Sequence, residues 1–222
     1  MNVHLGDGGE DACVIWMHGL GDTPHGWADM ARKLRPKLKN IKWVLPCAPE
    51  EPVTCNSGYS STSWMDIIEI PIGVHSPDNG VGQEKSVKIV KELVEKELQQ
   101  GIPSDRIVIG GFSQGGAMAL ASTLNMDKPL AGCVVFSGWA LPKQELAKKL
   151  KESVNRNIPY LICHGTADNV VLPENGKFCF NMLKEANEKA TLKLYEDVAH
   201  SSCPEEMNDL ETFLRETLPP KC

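Results

Sequence analysis

The chain has 222 residues, 41% of them hydrophobic and 23% charged, and carries a net charge of −6. Length and composition suit a globular protein of one α/β domain over residues 1–222. No run of like charge is long enough for a nucleic-acid arm, and no apolar run reaches the roughly 20 residues of a membrane span, so neither nucleic acid nor a transmembrane helix is expected.

In chain order, residues 12–17 are an unbroken apolar run and read as a buried strand. A helical pattern follows around 27–34, and a second strand at 41–45 is stopped by Pro46. Val87, Val90, Val94 and Leu98 recur every three to four residues, which predicts an amphipathic helix over 84–100. Gly101 and Pro103 end it. A strand over 106–110 leads into an apolar helix over 116–124. Further strands are predicted at 130–136, 160–163 and 191–195, with helices at 143–152, 174–188 and 204–217 between or after them. Strands alternating with helices imply a mostly parallel sheet covered on both faces. Residues 137–159 leave no room for a large cap domain. Residues 46–82, rich in Pro, Ser and Gly, are the longest irregular stretch and are expected to wall the substrate site.

None of the eight cysteines (Cys13, Cys47, Cys55, Cys133, Cys163, Cys179, Cys203 and Cys222) forms a Cys-x-x-Cys pair, so no metal is expected. Cys13, Cys133 and Cys163 fall in predicted strands, where the residue serves as a small hydrophobe. Residues 1–6 lack the apolar stretch of a signal peptide, position 2 is Asn2, and Lys221-Cys222 is not a prenylation box. Reduced thiols and a cytoplasmic location are the expectation.

The chemistry concentrates at Gly111-Phe112-Ser113-Gln114-Gly115, a Gly-x-Ser-x-Gly pentapeptide between a predicted strand and a predicted helix. A nucleophilic Ser must stand clear of the sheet on a tight strand-to-helix turn, and flanking glycines permit that turn. Ser113 is therefore the candidate nucleophile. It needs a general base, and the base needs an orienting carboxylate. In this layout the acid follows the Ser and precedes the His. Downstream of Ser113 the histidines are His164 and His200. Asp168, just past a predicted strand, and His200, just past the last one, satisfy the order. The alternative pairs His164 with Asp127, Glu145 or Glu152; those acids lie in polar or helical surroundings, so it ranks lower. His164 is read as a structural residue at its strand end.

An oxyanion needs two backbone N–H donors. Gln114, directly after the nucleophile, offers one, and the loop His18-Gly19-Leu20-Gly21-Asp22 offers the other, through Leu20. His18 is read as packing or bonding the loop. Trp64 and Trp139 each have two readings, as an anchor of core or loop and as the lining of an apolar substrate groove.

These segments resemble the acyl-protein thioesterases and related lysophospholipase-like carboxylesterases. The resemblance is carried by 18–22 with Trp27, by 63–66, 101–106, 110–116 and 163–168, and by 200–202, in family order and over nearly the whole chain. It implies an α/β-hydrolase fold with a mostly parallel central sheet, helices on both faces and no large cap domain. It implies a cofactor-independent serine hydrolase that removes palmitoyl groups from protein cysteines, with lysophospholipids or small esters as alternative substrates and transient contact with a membrane surface. Ser113, Asp168 and His200 match the family triad, Leu20 and Gln114 its oxyanion donors, and Trp139 and Val170 the lining of its acyl channel. The chain departs from the family after Trp139, where Ala140 intervenes before Leu141-Pro142.

Overall fold

The computed structural model describes residues 1–141, 145–187 and 189–221. Its strands are β1 (Val3–Leu5), β2 (Ala12–Met17), β3 (Ile41–Leu45), β4 (Glu50–Pro52), β5 (Ser60–Thr62), β6 (Ile107–Phe112), β7 (Gly132–Phe136), β8 (Tyr160–Gly165) and β9 (Ala190–Tyr195). Its α-helices are α1 (Pro24–Leu34), α2 (Gln83–Gln99), α3 (Gln114–Leu124), α4 (Leu146–Glu152), α5 (Glu174–Ala186) and α6 (Pro204–Thr217). The main sheet runs β1-β3-β2-β6-β7-β8-β9, parallel throughout except for the antiparallel edge strand β1. β4 and β5 form a separate two-stranded ribbon.

The apolar runs become the inner strands because a parallel sheet is buried on both faces and needs no polar side. β2, β7 and β8 are buried at every position. Alternate residues of β2 face opposite cores. Cys13, Ile15 and Met17 pack with Val90 and Val94 of α2, Ala117 and Leu120 of α3, Leu146 of α4 and Leu183 of α5. Ala12, Val14 and Trp16 pack with Trp27 and Leu34 of α1 and Leu210 and Leu214 of α6. The predicted stripe of α2 is realised, with Val90 and Val94 fully covered and Val87 and Leu98 half-buried beside them. No described helix is long and apolar enough to cross a membrane.

Two differences from the expected elements have local causes. β1 is three residues long with an exposed middle position, too short to register as a pattern. The stretch 46–82 contains β4 and β5, whose sequences Glu50-Glu51-Pro52 and Ser60-Ser61-Thr62 have no apolar alternation to betray them. The predicted helix over 143–152 is observed from Leu146; residues 143 and 144, like Pro142, lie outside the described residues, as does residue 188 at the end of the helix predicted over 174–188.

On the α1/α6 side the core is organised around Trp16, whose ring lies 5.3 Å from that of Trp27 and 5.0 Å, edge-on, from that of Phe136. Trp16→Ala leaves a large buried void, and we expect it to lower unfolding stability by about 3–5 kcal/mol in urea titration.

Candidate active site

The strand ends at the C-terminal edge of the sheet carry the candidate residues. β6 runs into α3 through Ser113, which sits at φ 56° and ψ −121°. That conformation is strained for a residue with a Cβ, and it turns the side chain away from both elements. Two hydrogen bonds hold the turn: the Ser113 N–H donates to Phe136 O (2.8 Å), and the Ala117 N–H donates to Ser113 O (3.0 Å). Gly115 is required by space: a Cβ there would lie 2.2 Å from Met17 O. The first turn of α3 thus rests on the end of β2.

Ser113, His200 and Asp168 are brought into one line. His200 Nε2 is 2.9 Å from Ser113 Oγ, and His200 Nδ1 is 2.7 Å from Asp168 Oδ2. The other carboxylate oxygen, Oδ1, accepts the N–H groups of Val170 and Val171, both at 2.9 Å. Burial alone raises the Asp168 carboxyl, but hydrogen bonds from His164, His200 and the Val170 N–H, with the His200 charge, outweigh it and hold the group well below the usual carboxylate range. Asp168 is buried, whereas the His200 side chain is 16% exposed. The ring of Phe112 lies 4.8 Å from that of His200 and, on its other side, 5.2 Å from that of Trp27. An aromatic chain therefore runs from the core to the candidate base.

The candidate oxyanion loop lies against the nucleophile. A Cβ at Gly19 would be 3.3 Å from Ser113 Cβ. Gln114 N opens α3, where the helix dipole is positive. Leu20 follows Gly19, and its side chain is half-buried against the same core as Trp139 and Val170. His18 is a loop anchor: its Nδ1 bonds Gly19 O (2.7 Å), and its Nε2 accepts from the Ala48 N–H (3.1 Å). Burial lowers its pKa, against the raising effects of the Gly19 carbonyl and Asp22.

Trp64 occupies the anchoring position of its two readings. Its ring is 1% exposed, and its indole N–H donates to His18 O (2.9 Å). Trp139 is also buried, but it lines a narrow slot with Ile67, Ile72 and Leu141. The slot holds only about 20 Å³ and shares Met65 and Leu141 with a neighbouring groove of about 800 Å³. The groove is walled by Val81 of the long loop, Val87 of α2 and Ala121 of α3, with Lys85 and Lys149 also in its lining. Neither lining includes Ser113 or His200. Val170 acts on the site through its backbone: besides its N–H to Asp168, its carbonyl accepts from the Ile72 N–H (2.8 Å).

Three contributions were not legible in the sequence: that of Phe112, that of the Gln114 side chain, and the contact with Asp168 of His164, which was read as structural. Phe112 was merely the variable position of the pentapeptide. The Gln114 side chain ties the nucleophile to the long loop, donating to Ser63 Oγ (2.8 Å) and Met65 O (2.7 Å) and accepting from the Trp64 N–H (2.9 Å). His164 is wholly buried, with Nε2 3.4 Å from Asp168 Oδ2. Its place four residues before Asp168 was the available signal.

Below the His200 loop, Cys203 caps α6: its Sγ accepts from the Glu206 N–H (3.4 Å). Glu206 is buried, and desolvation pushes its carboxyl up to about 8, with the nearby Asp209 adding to the rise and the Cys203 backbone opposing it. A carboxyl raised on folding stabilises most below its unfolded pKa, and that contribution is lost as pH rises through the folded value. Stability should therefore fall between about pH 4.5 and 8 through this group. Glu206→Gln should flatten that slope in urea titrations at pH 5 and pH 9; an unchanged slope would refute the assignment.

Residues 1–218 match the family described as phospholipase/carboxylesterase. The chain is 38% identical over 216 residues to acyl-protein thioesterase 1 of Gibberella zeae, covering 95% of this chain and 92% of that protein. It is 36% identical over 221 residues to acyl-protein thioesterase 1 of Cryptococcus neoformans var. neoformans, covering 93% and 92%. The crystal structure of Arabidopsis thaliana SOBER1 superposes with a TM-score of 0.87 at 34% identity, over 93% of this chain and 99% of that one. Zea mays acyl-protein thioesterase 2 superposes with a TM-score of 0.86 at 30% identity, over 98% and 99%.

Proposed function

Because the chain belongs to the phospholipase/carboxylesterase family of α/β-hydrolases, we propose that Ser113, His200 and Asp168 form its catalytic triad and that it cleaves thioester-linked long-chain acyl groups, palmitoyl among them, from protein cysteines. The observation that carries the reading is the unbroken hydrogen-bonded line from Ser113 Oγ through His200 to Asp168.

In this mechanism His200 Nε2 takes the Ser113 proton as Oγ attacks the thioester carbonyl. Asp168 fixes the imidazole with Nδ1 protonated and stabilises the imidazolium. The Leu20 and Gln114 N–H groups receive the oxyanion, a contribution of roughly 3–4 kcal/mol per donor. The tetrahedral intermediate expels the thiolate, which His200 protonates, leaving an acyl group on Ser113. Water, deprotonated by His200, then attacks the acyl-enzyme, and His200 returns that proton to Ser113 Oγ as the Oγ–acyl bond breaks and the fatty acid leaves. No step calls for a metal or an organic cofactor.

The acyl-protein substrate is supported by the names of the relatives at 36–39% identity. The slot beside Trp139 and Ile72, widened from its present volume of about 20 Å³, would receive the acyl chain, each buried methylene adding about 0.8 kcal/mol. A lysophospholipid or small ester is the second reading, favoured by the family description, because the same triad serves oxyesters.

Ser113→Ala should abolish release of palmitate from an S-palmitoylated peptide, with a fall in kcat of at least about 10³-fold. Wild-type enzyme that turns over lysophospholipid but not the palmitoyl peptide would favour the second reading. Activity surviving in Ser113→Ala would remove the triad.

A further inference from the structure

Asp168 is held by two histidines. His164, at the penultimate position of β8, has Nε2 2.8 Å from Val171 O. A carbonyl oxygen only accepts, so Nε2 carries a proton. The same nitrogen lies 3.4 Å from Asp168 Oδ2, the oxygen that also receives the His200 N–H. Both side chains, His164 and Asp168, are 0% exposed, so solvent does not screen the pair. Among the described residues His164 Nδ1 has no hydrogen-bond partner, and it points at α5, where a Cβ on Gly176 would lie 2.7 Å away. That bare glycine is what gives the imidazole its place.

Resting on the triad reading above, we infer that His164 is a positioning residue for the reaction: it fixes the Asp168 carboxylate in register with His200 and, by sharing Oδ2, limits how tightly that carboxylate binds the His200 N–H. Oδ1 is already occupied by the Val170 and Val171 N–H groups. Rotation of the carboxylate would break those bonds, and the His164 contact closes the remaining direction on the Oδ2 side. His164 touches neither Ser113 nor the expected position of the substrate, and its effect passes through Asp168 to His200. The titratable side chains acting on Asp168 among the described residues are these two histidines. The groups around them are the Gly176 backbone of α5, the Val170 and Val171 backbone, and the Phe112 ring on His200.

Removal of the His164 donor leaves His200 as the sole side-chain partner of Oδ2 among the described residues. His200 then holds its proton more tightly, and the acid limb of the rate profile moves to higher pH. The test is hydrolysis of a short-chain p-nitrophenyl ester by the full chain, with kcat, KM and the pH profile of kcat/KM measured for wild type, Ser113→Ala, His164→Leu and His164→Gln. His164→Leu is expected to lose about 10- to 100-fold in kcat with unchanged KM and to show the shifted limb. His164→Gln, which keeps a side-chain N–H donor, is expected to regain most of the kcat and the original limb. Wild-type kcat and limb in His164→Leu would overturn the inference, as would equal losses in Leu and Gln with the limb unmoved. Should His164→Leu fail to fold, Gly176→Ala crowds the imidazole without removing it. A shifted limb there supports the role, and a wild-type profile overturns it. Ser113→Ala reports separately on the triad, because full activity in that variant defeats the underlying reading whatever His164 does.

Discussion

The contact between the first turn of α3 and the end of β2 is the constraint on which the site depends. It leaves 2.2 Å between Met17 O and the place where a side chain at Gly115 would begin. No residue but glycine fits there, and the closeness brings three things together. It holds Ser113 in its strained conformation at the mouth of the sheet. It places the N-terminus of α3, the positive end of its dipole, directly after Ser113. It also sets the 18–22 loop, which leaves β2 at this point, beside Ser113 Cβ. Strain of this kind persists only where the surroundings over-determine it. Here the sheet does so through Phe136 O and the helix through Ala117 N.

A second constraint is the path of the 46–82 loop, which is bound to both halves of the site. At one end Gly21 N donates to Thr62 O (2.9 Å), Thr62 Oγ1 donates to Asp22 O (2.6 Å), and Gln114 clasps residues 63–65. At the other end the Ile72 backbone bonds Val170 O and the Leu172 N–H, and Asn175 Nδ2 donates to Ile72 O (2.7 Å). The side of the candidate oxyanion loop and the side of Asp168 thus share one strap. Buried polar groups such as Gln114 and Asn175 earn their place by satisfying loop backbone that would otherwise be orphaned in a dry interior. The same segment supplies Ile67 and Ile72 to the slot beside Trp139, so access to that slot and the setting of Asp168 are mechanically linked.

The sheet was legible because parallel strands buried on both faces leave unbroken apolar runs, and β2 and β3 were bounded to the residue. The elbow was legible for a different reason: a glycine on each side of Ser113 records a steric demand directly in residue type. Asp168 and His200 followed from chain order and from their places just past predicted strands. What the sequence hid was long-range hydrogen bonding. Nothing local in Ser63-Trp64-Met65 says that a glutamine fifty residues away will bind its backbone, and nothing local separates Trp64, held by His18 O, from Trp139 beside a slot. β4 and β5 were hidden because a solvated ribbon needs no hydrophobic alternation. His164 was seen as structural, which its burial agrees with, but its contact with Asp168 exists only once β8 and the following loop are folded together.

The surroundings of Asp168 also bear on where the proton goes during turnover. Its two oxygens meet two backbone N–H groups and two imidazoles. Each of those donors favours the anion, and together they overcome a desolvation that by itself would favour the neutral acid. A carboxylate so fully bonded has little capacity to accept a further proton. In the proposed mechanism the proton leaving Ser113 therefore stays on His200, with Asp168 as a fixed charge beneath it. A fixed charge is useful only if it does not have to reorganise as the imidazolium forms. The rigid backbone donors on Oδ1 and the buried ring on Oδ2 provide that stillness. The exposed edge of the site then needs only His200 and the substrate to move.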